Sequence, residues 1–244
     1  MATWLAEFLD KLGTWSNQAW ASLEPIMPNV AKIPKDFLET TQQTLYMTFW
    51  TALWSGIFGI LLGVVLVVTH DGGILENRWF YRILDQLVNI FRSIPFIILV
   101  ALLATTTRFL AGTTIGSKAA LVPLIAGVIP FFARQVENAL LEVNPGVVEA
   151  AQAMGTSPWG IIFRVYLKEG LPGIVRASAL TLISVIGLTA MAGAVGGGGL
   201  GNLAISRGYN RFQTDVTLMS TILILILVFI TQFIARRIEK RVTH

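Results

Sequence analysis

Val216–Ala235 reads VTLMSTILILILVFITQFIA, with no Asp, Glu, Lys or Arg along it. A helix needs about 20 apolar residues to cross the hydrocarbon core of a bilayer, and this stretch supplies them. Thr40–Thr69 and Ala177–Ser206 are equally free of charge and meet the same test. Two shorter uncharged stretches, Ser93–Thr107 and Ala119–Ala133, reach across only if their helices continue into Leu84–Ile90 and Gln135–Leu140. Charges in those extensions must then face protein or headgroups, because lipid offers them no partner. The reading is an all-α integral membrane protein with about five transmembrane helices.

Composition agrees with that reading. Of 244 residues, 54% are hydrophobic and only 13% charged, against about 25% charged in an ordinary soluble domain. Cysteine is absent, which removes disulfides, thiol nucleophiles and cysteine metal sites. The two histidines stand far apart and build no metal or catalytic centre. A net charge of +4 needs no nucleic acid to explain it. Glu7 and Asp10 interrupt what would be the basic and apolar regions of a signal peptide.

Basic residues record topology. Asp71–Arg92, Arg134–Arg176 and the tail after Ala235 carry eleven Lys and Arg, and the remaining segments carry seven. The positive-inside rule therefore predicts a cytoplasmic C-terminus and, with five spans, an N-terminus outside. In residues 1–39, Trp4, Leu5, Phe8, Leu9, Leu12 and Trp15 recur at helical spacing, with Glu7, Asp10 and Lys11 opposite. This predicts an extracytoplasmic interfacial helix, joined by the Pro25, Pro28 and Pro34 link to a membrane domain over 40–244.

Punctuation is densest in the polar segment 134–176. Asn144 is placed to cap a helix that starts at Pro145, Gly155 suits the left-handed residue after it, and Ser157-Pro158 repeats the start. The prediction is two short cytoplasmic helices, within about 141–172, meeting at a glycine corner. Ser55, Gly59 and Gly63 recur every four residues in the first span, a spacing that lets helix backbones approach in lipid. The run Gly196–Gly201 matches GxGxxG formally, but a membrane span precedes it rather than a strand, so it reads as a flexible or closely packed exit from the fourth helix. Arg92-Ser93-Ile94-Pro95 interrupts the second span, with Ser93 placed to cap a helix restarting beyond it. Such a half-helix would aim its positive end at a substrate carboxylate; an ordinary kink or interfacial start is the alternative.

No GxxxxGK[ST] phosphate loop occurs, and the uncharged spans hold no Asp, Glu or His to relay protons. A transporter so built borrows its energy from a partner. Glu149-Ala150-Ala151-Gln152-Ala153-Met154-Gly155 resembles the EAA motif of ABC importer permeases. By that resemblance Glu149, Ala150, Ala151, Ala153, Met154 and Gly155 couple the chain to an ATPase whose cleft receives the loop. Lys168 stands where the motif's proline is expected, a departure that leaves the path after Gly155 open. Phe91–Phe96, Arg134–Leu140 and Ala190–Gly196 resemble the methionine-uptake subgroup.

The resemblance implies a two-fold dimer of this chain, two ABC ATPase subunits that bind ATP and Mg, an extracellular substrate-binding protein, and a bacterial cell membrane. The chain itself would bind no cofactor and catalyse nothing. It implies methionine as cargo; Met191, within the subgroup-like segment, is the candidate pathway or gate residue, with helix packing as its alternative, and the half-helix reading adds Ser93 and Pro95 to the pathway. Composition and span count alone leave a passive channel or structural membrane subunit open. The Glu149–Gly155 loop separates the readings, since a channel needs no ATPase-docking helices.

Overall fold

The computed structural model describes Trp20 and residues 22–242; the predicted helix over Trp4–Trp15 lies outside the described residues. Helix α1 (Pro28–Ala31) leads into α2 (Pro34–Thr69). A broken path follows: α3 (Arg78–Ser93), α4 (Phe96–Leu102) and α5 (Ala104–Ala111). Then come α6 (Ser117–Leu141), α7 (Pro145–Ala153) and α8 (Pro158–Ile161). A wide π-helical turn, Ile162–Tyr166, and Leu167–Glu169 carry α8 onward. Helices α9 (Leu171–Ala192), α10 (Gly199–Leu203) and α11 (Thr214–Val242) complete the bundle.

Four helices, α2, α6, α9 with its Gly193–Gly197 extension, and α11, are each long and apolar enough to cross a membrane. With 36 residues α2 is about 54 Å long, so it projects beyond a hydrocarbon core of about 30 Å. It starts at Pro34 rather than Thr40, because proline suits the first helical turn and Lys35, Asp36 and Glu39 can sit beyond the lipid. Helix α11 fully buries only Val216 and Ser220, and packs Met219, Leu223, Ile224 and Leu227 partly buried against the bundle. Ser55 and Thr181, buried inside the spans, donate to the carbonyls of Thr51 and Ala177 one turn back, which pairs their hydroxyls within their own helices.

The third predicted span is continuous into Gln135–Leu140, whereas the second is not straight: α3 and α4 meet at 103°. The contacts nevertheless make the broken path a fifth crossing. Ile74, just before α3, packs with the coupling-loop core. Just after α5, the Gly116 N–H donates to the Gly196 carbonyl at the other end of α9 (2.9 Å). At that same far end Asp215, opening α11, accepts from the backbone and side chain of Asn29 (2.9 and 3.1 Å), and Asp36 pairs with Arg207 (2.6 Å). At the loop end, Arg176 bridges Glu142 and Glu239.

The seam between α2 and α6 is the backbone of the bundle. A β-carbon added at Gly59 or Gly63 would lie 2.7 Å from Phe132 or Val136, so the small residues spaced along α2 seat α6. The run Gly196–Gly201 is also a packing device and not a loose exit. Gly199 N–H donates to Gln43 Oε1 (2.7 Å) and Leu200 N–H to Thr44 Oγ1 (2.9 Å), which pins α10 against α2.

Candidate coupling loop and translocation groove

The loop between α6 and α9 folds as its turn chemistry dictates. Asn144 accepts from Gly146 N–H (2.9 Å) ahead of Pro145, and Ser157 accepts from Gly160 N–H (3.3 Å) ahead of Pro158. Each side chain satisfies a backbone donor that has no partner within its helix. At the corner Gly155 has φ +76°. Its N–H donates to Gln152 O (2.9 Å) and that of Thr156 to Ala151 O (3.0 Å), the paired closure of a Schellman turn. From Pro158 the chain stays helical through Lys168, which is exposed, and Pro172 falls in the first turn of α9. The departure at Lys168 therefore leaves no break in this segment.

One face of the loop is anchored and the other is free. Val148, Ala151, Ile161, Val165 and Tyr166 are buried in one cluster with Val136, Ala139 and Leu140 of α6 and Ile174 of α9. Burying an aliphatic side chain of this size outside lipid contributes about 1.5–3 kcal/mol. The opposite face exposes Glu149, Ala150, Gln152, Ala153 and Gly155, together with Met154 (78%), Trp159 (69%) and Phe163 (63%). Trp159 and Phe163 stack at 6.3 Å. An exposed apolar surface of this kind is a candidate interaction site. Of the six predicted coupling residues, Ala151 alone is inside, where it holds the helix to the bundle.

Of the other predicted set, Met191 lines a groove of about 590 Å³, and Ser93 and Pro95 do not. Its walls include Met191 and Gly187 of α9, Phe131 of α6, and Arg92, Ile94 and Phe96 around the break after α3. Met191, Ser93 and Pro95 are distant in sequence, and the fold brings Met191 to the groove wall that the neighbours of Ser93 and Pro95 build. Ser93 does not cap the restarting helix. Its hydroxyl donates backward to Asn89 O (2.8 Å), and Pro95 occupies the cap position of α4 without a side-chain bond. The hydroxyl closes the end of α3 because its own carbonyls one turn back are nearer than the amides beyond Pro95.

Sequence reasoning missed Phe131, Gly187 and a polar cluster beside the groove. Arg134 donates to Glu137 Oε2 (2.6 Å), to Asn89 Oδ1 (3.1 Å) and to Asp85, while Tyr81 donates to Glu137 Oε1 (3.1 Å). The charges expected to face protein in Leu84–Ile90 and Gln135–Leu140, Asp85 and Glu137, thus both face Arg134. No group of three or more His, Cys, Asp or Glu able to hold a metal occurs among the described residues.

The chain matches the family described as the binding-protein-dependent transport system inner membrane component over residues 56–244, and it belongs to that family. Among individual relatives, the chain is 45% identical over 205 residues to the probable D-methionine transport system permease protein MetI of Pasteurella multocida (strain Pm70), covering 84% of this chain and 94% of the relative. It is 50% identical over 202 residues to the methionine import system permease protein MetP of Bacillus subtilis (strain 168), covering 83% and 90%. The fold superposes with a TM-score of 0.85, at 44% identity, on a chain of the inward-facing MetNI methionine ABC transporter, covering 87% of this chain and 99% of that one.

Proposed function

We propose that the chain is the permease subunit of an ATP-driven importer that carries methionine into the cell. Two copies enclose the pathway, and a separate ATPase docks on the loop of each. The observation that carries the reading is the loop's division into two faces: Ala151 and Val148 fix it to α6 and α9, and Ala150, Ala153, Met154, Trp159 and Phe163 stand free. Small alanines let a cleft wall approach the helix, and the large apolar side chains give that contact its area. Glu149 and Gly155 complete the docking face, Glu149 as its polar edge and Gly155 as the corner that aims it.

The cargo follows from the relatives' names and suits the groove. Methionine has an apolar, polarisable side chain, and Met191, Phe131 and Ile94 offer it apolar, adaptable walls. Met191 acts as a gate residue there, and Ser93 and Pro95 lie along the pathway at the bend that shapes the opposite wall. The membrane is the bacterial cell membrane, with the loop and the end of α11 in the cytoplasm, as the eleven-to-seven excess of basic residues supports. An extracytoplasmic binding protein delivers the substrate at the other end. Cells lacking this chain should lose high-affinity uptake of labelled methionine and regain it when the chain is supplied; uptake unchanged by the loss contradicts the assignment.

A further inference from the structure

Glu137 is a carboxylate with 1% of its side chain exposed, inside a membrane-spanning helix and away from any surface proposed to bind a partner. Burying such a group is unfavourable unless it is paired, and ionisable side chains at membrane depth are rare. Here two carboxylates, Asp85 and Glu137, share one guanidinium, that of Arg134, whose side chain is 15% exposed. Asn89 bonds both Arg134 and Asp85 (3.1 Å each), and Tyr81 bonds Glu137. Tyr81, Asp85 and Asn89 recur every four residues and so form one stripe along α3, aimed at α6.

The cluster's position gives it a task. Along α6, Phe131 lines the groove, Arg134 and Glu137 follow, and Ala139 and Leu140 sit in the core that anchors the coupling loop. The nine steps from Phe131 to Leu140 span about 13.5 Å of helix. Along α3, Asn89 lies one turn before Arg92 and Ile94, which form the facing wall of the groove. The loop anchor and both walls therefore meet at one hydrogen-bonded node.

We propose that Arg134 is a positioning residue for transport. It fixes α3 to α6, so that displacement of the coupling loop moves the broken-helix wall of the groove together with α6. The inference rests on the coupling-loop reading above. Apolar packing alone would let α3 slide along α6, whereas the Arg134 guanidinium of α6 on Asp85 and Asn89 of α3, with Tyr81 of α3 on Glu137, holds one register.

The absence of cysteine permits a direct test. A single reporter, Ile94→Cys, is placed on the groove wall, and the assembled complex with its ATPase is labelled with a maleimide, nucleotide-free and trapped with ATP and vanadate. With Arg134 intact, the two states should differ in labelling rate by at least about five-fold. In Arg134→Gln the difference should fall below about two-fold while ATP hydrolysis stays within about two-fold, and Arg134→Lys should recover part of it. Asp85→Asn, on the other helix, should weaken the response in the same direction. A full response in Arg134→Gln, or a loss of hydrolysis in step with the response in both Arg134→Gln and Asp85→Asn, overturns the proposal alone. Labelling that ignores nucleotide when Arg134 is intact overturns the coupling-loop reading as well.

Discussion

The coupling loop and the broken span are both short helices joined at a sharp corner, and they are made in different ways. In the loop every corner residue satisfies its own neighbourhood: Asn144 and Ser157 cap forward, and Gly155 takes the left-handed backbone that closes α7. At the break after α3, no side chain caps α4, and Ser93 turns back to Asn89. That corner is held by distant residues, through the Asp85–Arg134–Glu137 cluster and the packing of α4 on α6 and α9. One corner is built from local rules and the other from tertiary contacts. They should therefore respond to mutation in opposite ways, the first to changes in turn chemistry and the second to changes across the bundle.

The largest effect should come from Gly155→Val. No atom lies within 4 Å of a β-carbon built there, so the substitution meets only the cost of a left-handed backbone, about 1–2 kcal/mol and more for a β-branched residue. Membrane levels should stay near normal, while ATP-dependent uptake of labelled methionine falls by roughly ten-fold or more, as a tilted α7 leaves the docking cleft. On the groove side, Met191→Asp should reduce uptake almost as far by placing a carboxylate on an apolar wall, whereas Met191→Leu should stay within about three-fold.

Smaller effects sharpen the contrast. Asn144→Ala removes a cap and should weaken α7 by about 1 kcal/mol, seen as faster proteolysis of the loop and a roughly two- to five-fold loss of uptake. Ser93→Ala should be nearly silent, within about two-fold in uptake, since its hydroxyl only repeats a bond within α3. If Ser93→Ala proved as damaging as Asn144→Ala, the break would be a locally capped corner after all, and the distinction would fail.

The same distinction explains what could be read from the sequence. Asn144, Pro145, Gly155, Ser157 and Pro158 announce their turns within a few residues, so the loop was legible almost residue by residue. The long spans were legible because lipid imposes one requirement on every residue of Thr40–Thr69 or Val216–Ala235. The partner of Arg134 was not, because Asp85 lies 49 positions away and no local pattern links them. Ser93 misled for a related reason: its residue type fits a cap, but whether it reaches forward or back depends on where α3 is held. The glycines of Gly196–Gly201 allow a flexible or a closely packed exit in sequence, and contacts with Gln43 and Thr44, more than 150 residues earlier, decide for packing.

The central claim is that this chain receives an ATPase on the free face of the Pro145–Glu169 segment. Co-purification from detergent-solubilised membranes, with the chain as bait and either its own Ala153 or Ala153→Glu, tests it most directly. Ala153 is exposed beside Met154, so a glutamate there alters the docking surface and leaves the buried anchor at Ala151 untouched. The account predicts an ATPase retained by the chain with Ala153 and reduced at least about ten-fold with Ala153→Glu, at equal amounts of bait. Equal recovery of the ATPase with both baits, or none with either, would contradict it.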